Sequence, residues 1–353
     1  HWLPYLLFSI HAGALTDRFD ARRVIQAGML LFMAVSIAWG VLFATDTLEV
    51  WHAMVLLVLH GVAGVLWSPA SQVLLHHVVP LETLPSAVRL NATARQLGLL
   101  AGPAVGGAIL LVMGPIYGIF FNALLYLPTI LWLVNAPYDR SAHPPSPRAI
   151  GGFKDIALTL KQVARIRTIA AMIVLAGAAS LFIGNAYQAQ MPGFAHDLGQ
   201  VDADFYSSML LGADAAGALT AGLLLESRGL LPPRSRTAFV LAIIWCCALV
   251  GFALSPFYVL ALALLFVAGF AELSFNSMAQ TLVQLNAPAD IRGRVIGVFT
   301  MSSLGLRTFS GISVGLLGSL IGIHAALAAS AAALLMLSLS LLLFAPSQST
   351  AKR

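Results

Sequence analysis

Gly13-Ala-Leu-Thr-Asp17-Arg18-Phe-Asp20-Ala-Arg22-Arg23 separates two long apolar runs and holds three arginines. The next gap along the chain holds Asp46 and Glu49 and no cation. The alternation then continues to the end. Arg89 follows the third apolar run; Arg140, Arg148, Lys154, Lys161, Arg165 and Arg167 follow the fifth. Arg228, Arg234 and Arg236 follow the seventh, Arg292 and Arg294 the ninth, and Lys352 and Arg353 close the chain. The intervening gaps, at residues 113–115, 197–204, 255–256 and 322–324, hold neither Lys nor Arg. Of the 19 lysines and arginines, only Arg95 and Arg307 stand outside this scheme. Loops rich in Lys and Arg stay on the cytoplasmic side of a membrane, so the sorting predicts a polytopic protein with its C-terminus in the cytoplasm of a bacterial cell, in the plasma (inner) membrane.

Composition agrees. Of 353 residues, 59% are hydrophobic and 9% are charged, against roughly a quarter charged in soluble domains. The net charge of +5 reads as a collar facing lipid headgroups, not as a nucleic-acid surface. Cys246 and Cys247 adjoin inside an apolar run and read as small core residues. Eleven runs qualify as membrane helices: residues 1–15, 24–44, 51–75, 88–112, 116–134, 169–190, 205–225, 237–254, 257–285, 295–320 and 325–344. Backbone polar groups in lipid must bond internally, which requires helices. The first run is shorter than the roughly 20 residues a span needs, and the chain begins at His1. A preceding helix is therefore expected.

Residues 136–152 carry Pro137, Pro144, Pro145 and Pro147 and read as a linker. Ile156, Leu160 and Val163 then recur at helical spacing opposite Lys154 and Lys161, as in an interfacial amphipathic helix, a plain solvated helix being the alternative. Gln72, Pro80 and Glu82 match Gln280, Pro288 and Asp290 at one constant offset. Two related halves about a polar linker are a secondary-transporter architecture. The expected domains are an N-terminal bundle at 1–135, a cytoplasmic linker at 136–166, a C-terminal bundle at 167–346 and a tail at 347–353.

The opening stretch resembles the signature loop of the major facilitator superfamily, roughly G-x-x-x-D-R-x-G-R-R, which joins that family's second and third helices. Gly13, Asp17, Arg18, Arg22 and Arg23 occupy its pattern, while Asp20 replaces the second glycine. The resemblance implies an all-α fold of two pseudo-symmetric bundles with eleven of twelve membrane helices visible. It also implies a conformational role for Asp17, with Arg95 as a candidate cation. Arg95-Gln-Leu-Gly98-Leu-Leu-Ala-Gly102-Pro103-Ala-Val-Gly106-Gly107 is similar to the glycine-proline motif of major facilitator antiporters. Glycines at spacing four permit close helix contact, and Pro103 removes a backbone bond. A generic small-residue packing face is the alternative. Asn91, Arg95, Gly102 and Pro103, taken with Arg292-Gly293-Arg294-Val295, look most like the enterobactin and macrolide exporters of that superfamily.

Asp214, Glu272 and Arg307 fall deep in apolar runs. A charge at midplane costs about 2.5–3.5 kcal/mol and faces a partner or a wet cavity. Arg307 paired with Asp214 or Glu272, released by protonation, is the expected coupling device; a static buried ion pair is the alternative. Glu272, Asn276 and Gln280 recur every fourth residue on one helical face. Asn185 and Gln188 share a face on the helix after the linker. The family's seventh and tenth helices line its cavity, so these residues are assigned to substrate or proton access, interhelical hydrogen bonding being the alternative. His60 is a further proton carrier or a core histidine.

No G-K-[ST] sequence occurs, which excludes a P-loop. No nucleophile constellation, metal spacing or cofactor motif is seen, so no enzymatic activity, metal or cofactor is expected. The resulting expectation is a monomeric, proton-coupled exporter of amphipathic organic molecules such as drugs or siderophores. Its partners would be the lipid bilayer, a small organic substrate and protons. A small-metabolite importer, or a non-transporting sensor or degenerate fragment, is the alternative.

Overall fold

The computed structural model describes residues 1–135, 153–200, 202–228 and 233–344; the proline-rich linker and the terminal tail lie outside them. Every regular element among the described residues is helical. The elements are α1 (Leu3–Arg18), α2 (Ala21–Ala44), α3 (Val50–Val78), α4 (Leu84–Leu124), α5 (Leu127–Asn135), α6 (Phe153–Arg165), α7 (Arg167–Phe182), α8 (Ala186–Ala189) and α9 (Met191–Asp197). They continue as α10 (Ala203–Arg228), α11 (Ser235–Leu254), α12 (Tyr258–Asn286), α13 (Arg292–Thr300), α14 (Arg307–Ser310), α15 (Leu317–Ile321) and α16 (Ile323–Phe344). Apolar side chains cover the outside: Leu111 is 89% exposed and Leu343 81%. A water-soluble globule does not leave so many large apolar residues uncovered.

Eight helices are long and apolar enough to cross a membrane, among the described residues. Three of the eleven expected runs are not among them. The first forms α1, of 16 residues. The fourth lies within α4, which runs on through 41 residues and breaks only at Gly114, whose φ of +76° requires glycine. The tenth is divided by π-helical stretches at Met301–Gly305 and Gly311–Leu316.

The described residues form two compact units. The first draws on His1–Ala87, Leu97–Ile173 and Val283–Thr308; the second on Val88–Gln96, Val174–Leu282 and Phe309–Arg353. In the first, Val24, Ile25 and Met29 of α2 pack on Ala70, Val73 and Leu74 of α3 and Leu133 of α5, with Ile296 of α13 joining them. In the second, Ala218 and Ala221 of α10 pack on Leu273 of α12, and Trp245 of α11 stacks on Phe275 at 5.3 Å.

Among the described residues, glycines bring helix backbones together in both units. A methyl group on Gly13 would overlap the Gly293 carbonyl, and one on Gly297 would overlap the Ser9 carbonyl. Glycines 293 and 297, one turn apart, thus let α13 lie against α1. In the second unit Gly217 meets the Phe266 carbonyl and Gly269 meets the Asp214 carbonyl, which draws α10 against α12.

Candidate functional site

The first unit contains a buried charge cluster where α1 ends and α13 begins. Thr16 donates to the Gly13 carbonyl at 2.7 Å. One turn on, Asp17 accepts the Gly293 amide at 2.5 Å and the Arg294 amide at 3.2 Å. These are first-turn amides of α13 with no partner inside the helix, and the positive end of its dipole favours a carboxylate there. The Arg294 guanidinium places Nη1 2.8 Å from Asp17 Oδ2 and Nε 3.2 Å from Asp155 Oδ2 of α6. Its side chain is fully buried. One cation therefore stands between two carboxylates from different helices. Burial pushes the Asp17 carboxyl up to about 6, against the opposing pull of the Gly293 amide and Arg294.

The rest of the loop is organised locally. Asp20 caps α2 by accepting the Arg22 amide at 2.9 Å, and its carboxylate pairs with the Arg22 guanidinium at 2.8 Å. The residue that departs from the family pattern is thus a helix cap, a role an aspartate fills well. Arg23 donates to Gln26 at 3.1 Å, and Arg18 is exposed. Where the sequence offered Arg95 as the cation for Asp17, the structure supplies Arg294; Arg95 is exposed on α4.

The glycine-proline motif also lies on α4. A methyl group on Gly98, Gly102 or Gly106 meets nothing within 4 Å, so the close helix contact expected of them is not made among the described residues. Pro103 and Gly107 continue the same helix.

The second unit holds the acidic site. Asp214 of α10 is 4% exposed. Its electrostatic neighbours are the Glu272 carboxylate of α12 and the Tyr187 phenol of α8. Asp214 Oδ1 has no hydrogen-bond partner among the described residues. The Gly269 approach to the Asp214 carbonyl explains why α10 and α12 bring two acids together. Tyr187 arrives through a break: α7 ends at Phe182, Gly184 takes φ +52°, and α8 restarts the helix. A side chain at Gly184 would also meet Ser310. Interrupted membrane helices occur where backbone lines a cavity or is buried in protein. Asn185 and Gln188 lie just after this break, exposed and half-buried respectively. Asn276 and Gln280 are half-buried on α12.

The remaining candidates are in the first unit. The Arg307 guanidinium lies 5.4 Å from the centre of the Trp2 ring, between the two π-helical stretches. His60 meets the Phe32 ring edge-on at 4.6 Å. The polar stripe on α12 runs one step further than expected: Gln284 is buried and reaches Gln72 at 3.4 Å.

Asp155 and Tyr187 were not singled out by sequence reasoning, and Arg294 was noted only within the exporter-like Arg292–Val295 stretch, with no partner assigned. Asp155, an acid inside a strongly basic gap, carried a usable signal. Arg294 looked like one more collar charge, and Tyr187 had no signal, since it depends on the turn at Gly184.

The chain as a whole has relatives among known proteins. The chain is 24% identical to macrolide efflux protein A of Streptococcus pyogenes over 285 residues, 73% of this chain and 68% of that protein. It is 27% identical to the enterobactin exporter EntS of Shigella dysenteriae over 275 residues, 75% of this chain and 62% of the exporter. Thus the chain spans less than two thirds of the enterobactin exporter's length. Among solved structures, the human organic anion transporter MFSD10 superposes with a TM-score of 0.81 at 15% identity, over 97% of this chain and 81% of that one. The Escherichia coli fucose:proton symporter FucP gives 0.74 at 14% identity, over 96% and 88%. These likenesses establish a major facilitator fold. The family pattern described as transmembrane secretion effector matches residues 1–352, and the chain accordingly belongs to that family of multi-pass, non-enzymatic major facilitator secondary transporters.

Proposed function

We propose that the chain is a proton-coupled exporter of amphipathic organic molecules, with Asp214 and Glu272 as the proton-binding pair. The observation that carries this reading is the juxtaposition of two carboxylates and a phenol on three helices of one apolar unit. Two neighbouring carboxylates repel when both are charged, and uptake of one proton relieves the repulsion. Such a pair exchanges a proton at low cost while its surroundings alternate between wet and dry. Asn185, Gln188, Asn276 and Gln280 supply sparse polar anchors among apolar helices, which suits a bulky, largely apolar substrate. His60 and Arg307 are the first unit's proposed contribution to proton movement.

The Asp17–Arg294–Asp155 cluster supports alternating access. It holds α1, α6 and α13 together through one cation, so that a single rearrangement releases all three. Export is favoured over import by the distant likeness to two efflux proteins. The cations sorted into alternate gaps support an inner-membrane protein with its C-terminus on the cytoplasmic side.

The test is substrate uptake into everted vesicles under an imposed proton gradient, with a macrolide and a catecholate siderophore as probes. The wild-type protein is expected to accumulate a probe until a protonophore is added. Asp214→Asn and Glu272→Gln are expected to lose that coupled accumulation. Full coupling in both variants would overturn the assignment.

A further inference from the structure

His324, at the start of α16, sits where three elements of the second unit converge. Its Nδ1 lies 2.7 Å from the Ala253 carbonyl at the end of α11. Its Nε2 lies 3.3 Å from Asp197 Oδ2, the last residue of α9. Asp197 also lies 3.3 Å from His196 Nδ1 through its other oxygen. The Phe194 ring, fully buried against Phe252, meets the His324 ring edge-on at 4.8 Å. Glycines set the approach on both sides. Gly199, with φ +78°, turns the chain beyond α9, and Gly322, with φ +86°, turns it from α15 into α16.

The chemistry follows from the two acceptors. A carbonyl oxygen only accepts, so Nδ1 must be the donating nitrogen. In the neutral ring Nε2 then presents a lone pair to a carboxylate, which is repulsive. In the imidazolium it presents N–H⁺, which is attractive. The same contact therefore changes sign with one proton, and imidazole is the side chain that titrates between about pH 5 and 8.

Among the described residues, few charged groups face the ring. On α9 they are Asp197 and the well-exposed His196. The Gly311–Leu316 stretch and α15 carry no ionisable side chain. On α11 the facing group is the Ala253 carbonyl, at the opposite end of the helix from Arg236.

We propose that His324 is a proton-binding switch that ties α9 to the start of α16 when protonated and releases it when neutral. It is separate from the Asp214–Glu272 pair and needs no transported substrate. Hydrogen exchange in lipid nanodiscs tests it, corrected for intrinsic rates and read on peptides covering Met191–Asp197 and the first turns of α16. In the wild-type chain both peptides are expected to exchange about two- to fivefold more slowly at pH 5.5 than at pH 7.5, as a partly exposed ion pair provides. His324→Arg, which keeps the charge, is expected to stay protected at both values. Asp197→Asn is expected to lose the dependence, and His196→Gln to keep it. A wild-type chain whose exchange ignores pH, or an Asp197→Asn variant that retains the step, would sink the proposal. Neither outcome bears on proton-coupled transport, because no substrate enters the measurement.

Discussion

Asp17, Arg294 and Asp155 set one cation between two carboxylates, while Asp214 and Glu272 set two carboxylates beside a phenol. Both clusters are drawn together by glycines that let helix backbones touch. In the first, backbone amides and the guanidinium satisfy the Asp17 carboxylate in place. In the second, Asp214 Oδ1 is buried without a partner among the described residues. A buried carboxylate facing a guanidinium is compensated in place, whereas two neighbouring carboxylates are relieved by taking up a proton. Under the proposed function, the first cluster fastens helices and the second exchanges a proton.

The sharpest way to break this comparison is to remove one charge from each side. Arg294→Ala leaves two buried carboxylates facing each other and is expected to cost about 3–5 kcal/mol of stability, read as a lowered midpoint of thermal unfolding in detergent. Asp214→Asn, by contrast, is expected to leave the midpoint unchanged or raised while coupled accumulation disappears. Equal destabilisation in the two variants would remove the distinction.

A second effect, of about 3 kcal/mol, comes from pH. Folding raises the Asp17 carboxyl to about 6 from 3.8, so the folded state binds this proton more tightly than the unfolded chain. The contribution is full below about pH 4, declines as pH rises through 6, and is absent above. Unfolding midpoints taken between pH 4.5 and 6.5 should fall with rising pH in the wild-type chain. In Asp17→Asn this component should vanish; a variant that keeps the same slope would assign the dependence to another group.

The smallest effect separates glycines that look alike in sequence. Gly13→Ala drives a methyl group into the Gly293 carbonyl and should cost about 1–3 kcal/mol, as overpacking does. Gly102→Ala meets open space and should change stability by less than about 1 kcal/mol, in the favourable direction given the helix propensities. Equivalent losses at both positions would mean that the α4 face is packed in the membrane after all.

Much of the fold was legible because lipid imposes simple rules on a sequence. Long apolar runs must be helices, and cations sorted into alternate gaps order the spans. Asp17 and Gly13 were legible as a motif, and Asp214 and Glu272 as costly charges in apolar runs. Arg294 was not, because its burial follows from Gly293 and Gly297 admitting α1, a contact between segments far apart in the chain. Gly98, Gly102 and Gly106 were legible as a small-residue face, but such a face permits an approach without supplying the partner, and among the described residues nothing lies within 4 Å of a methyl group there.

Sequence alone therefore determined the helical class, the membrane setting and the identity of the expensive charges, since each depends on local composition and the cost of exposing polar groups to lipid. Tertiary structure alone decided which charges meet. Asp17 met Arg294, Asp214 met Glu272 and Tyr187, and His324 met Asp197, because those encounters depend on glycine crossings and helix breaks that bring distant residues within a few ångströms.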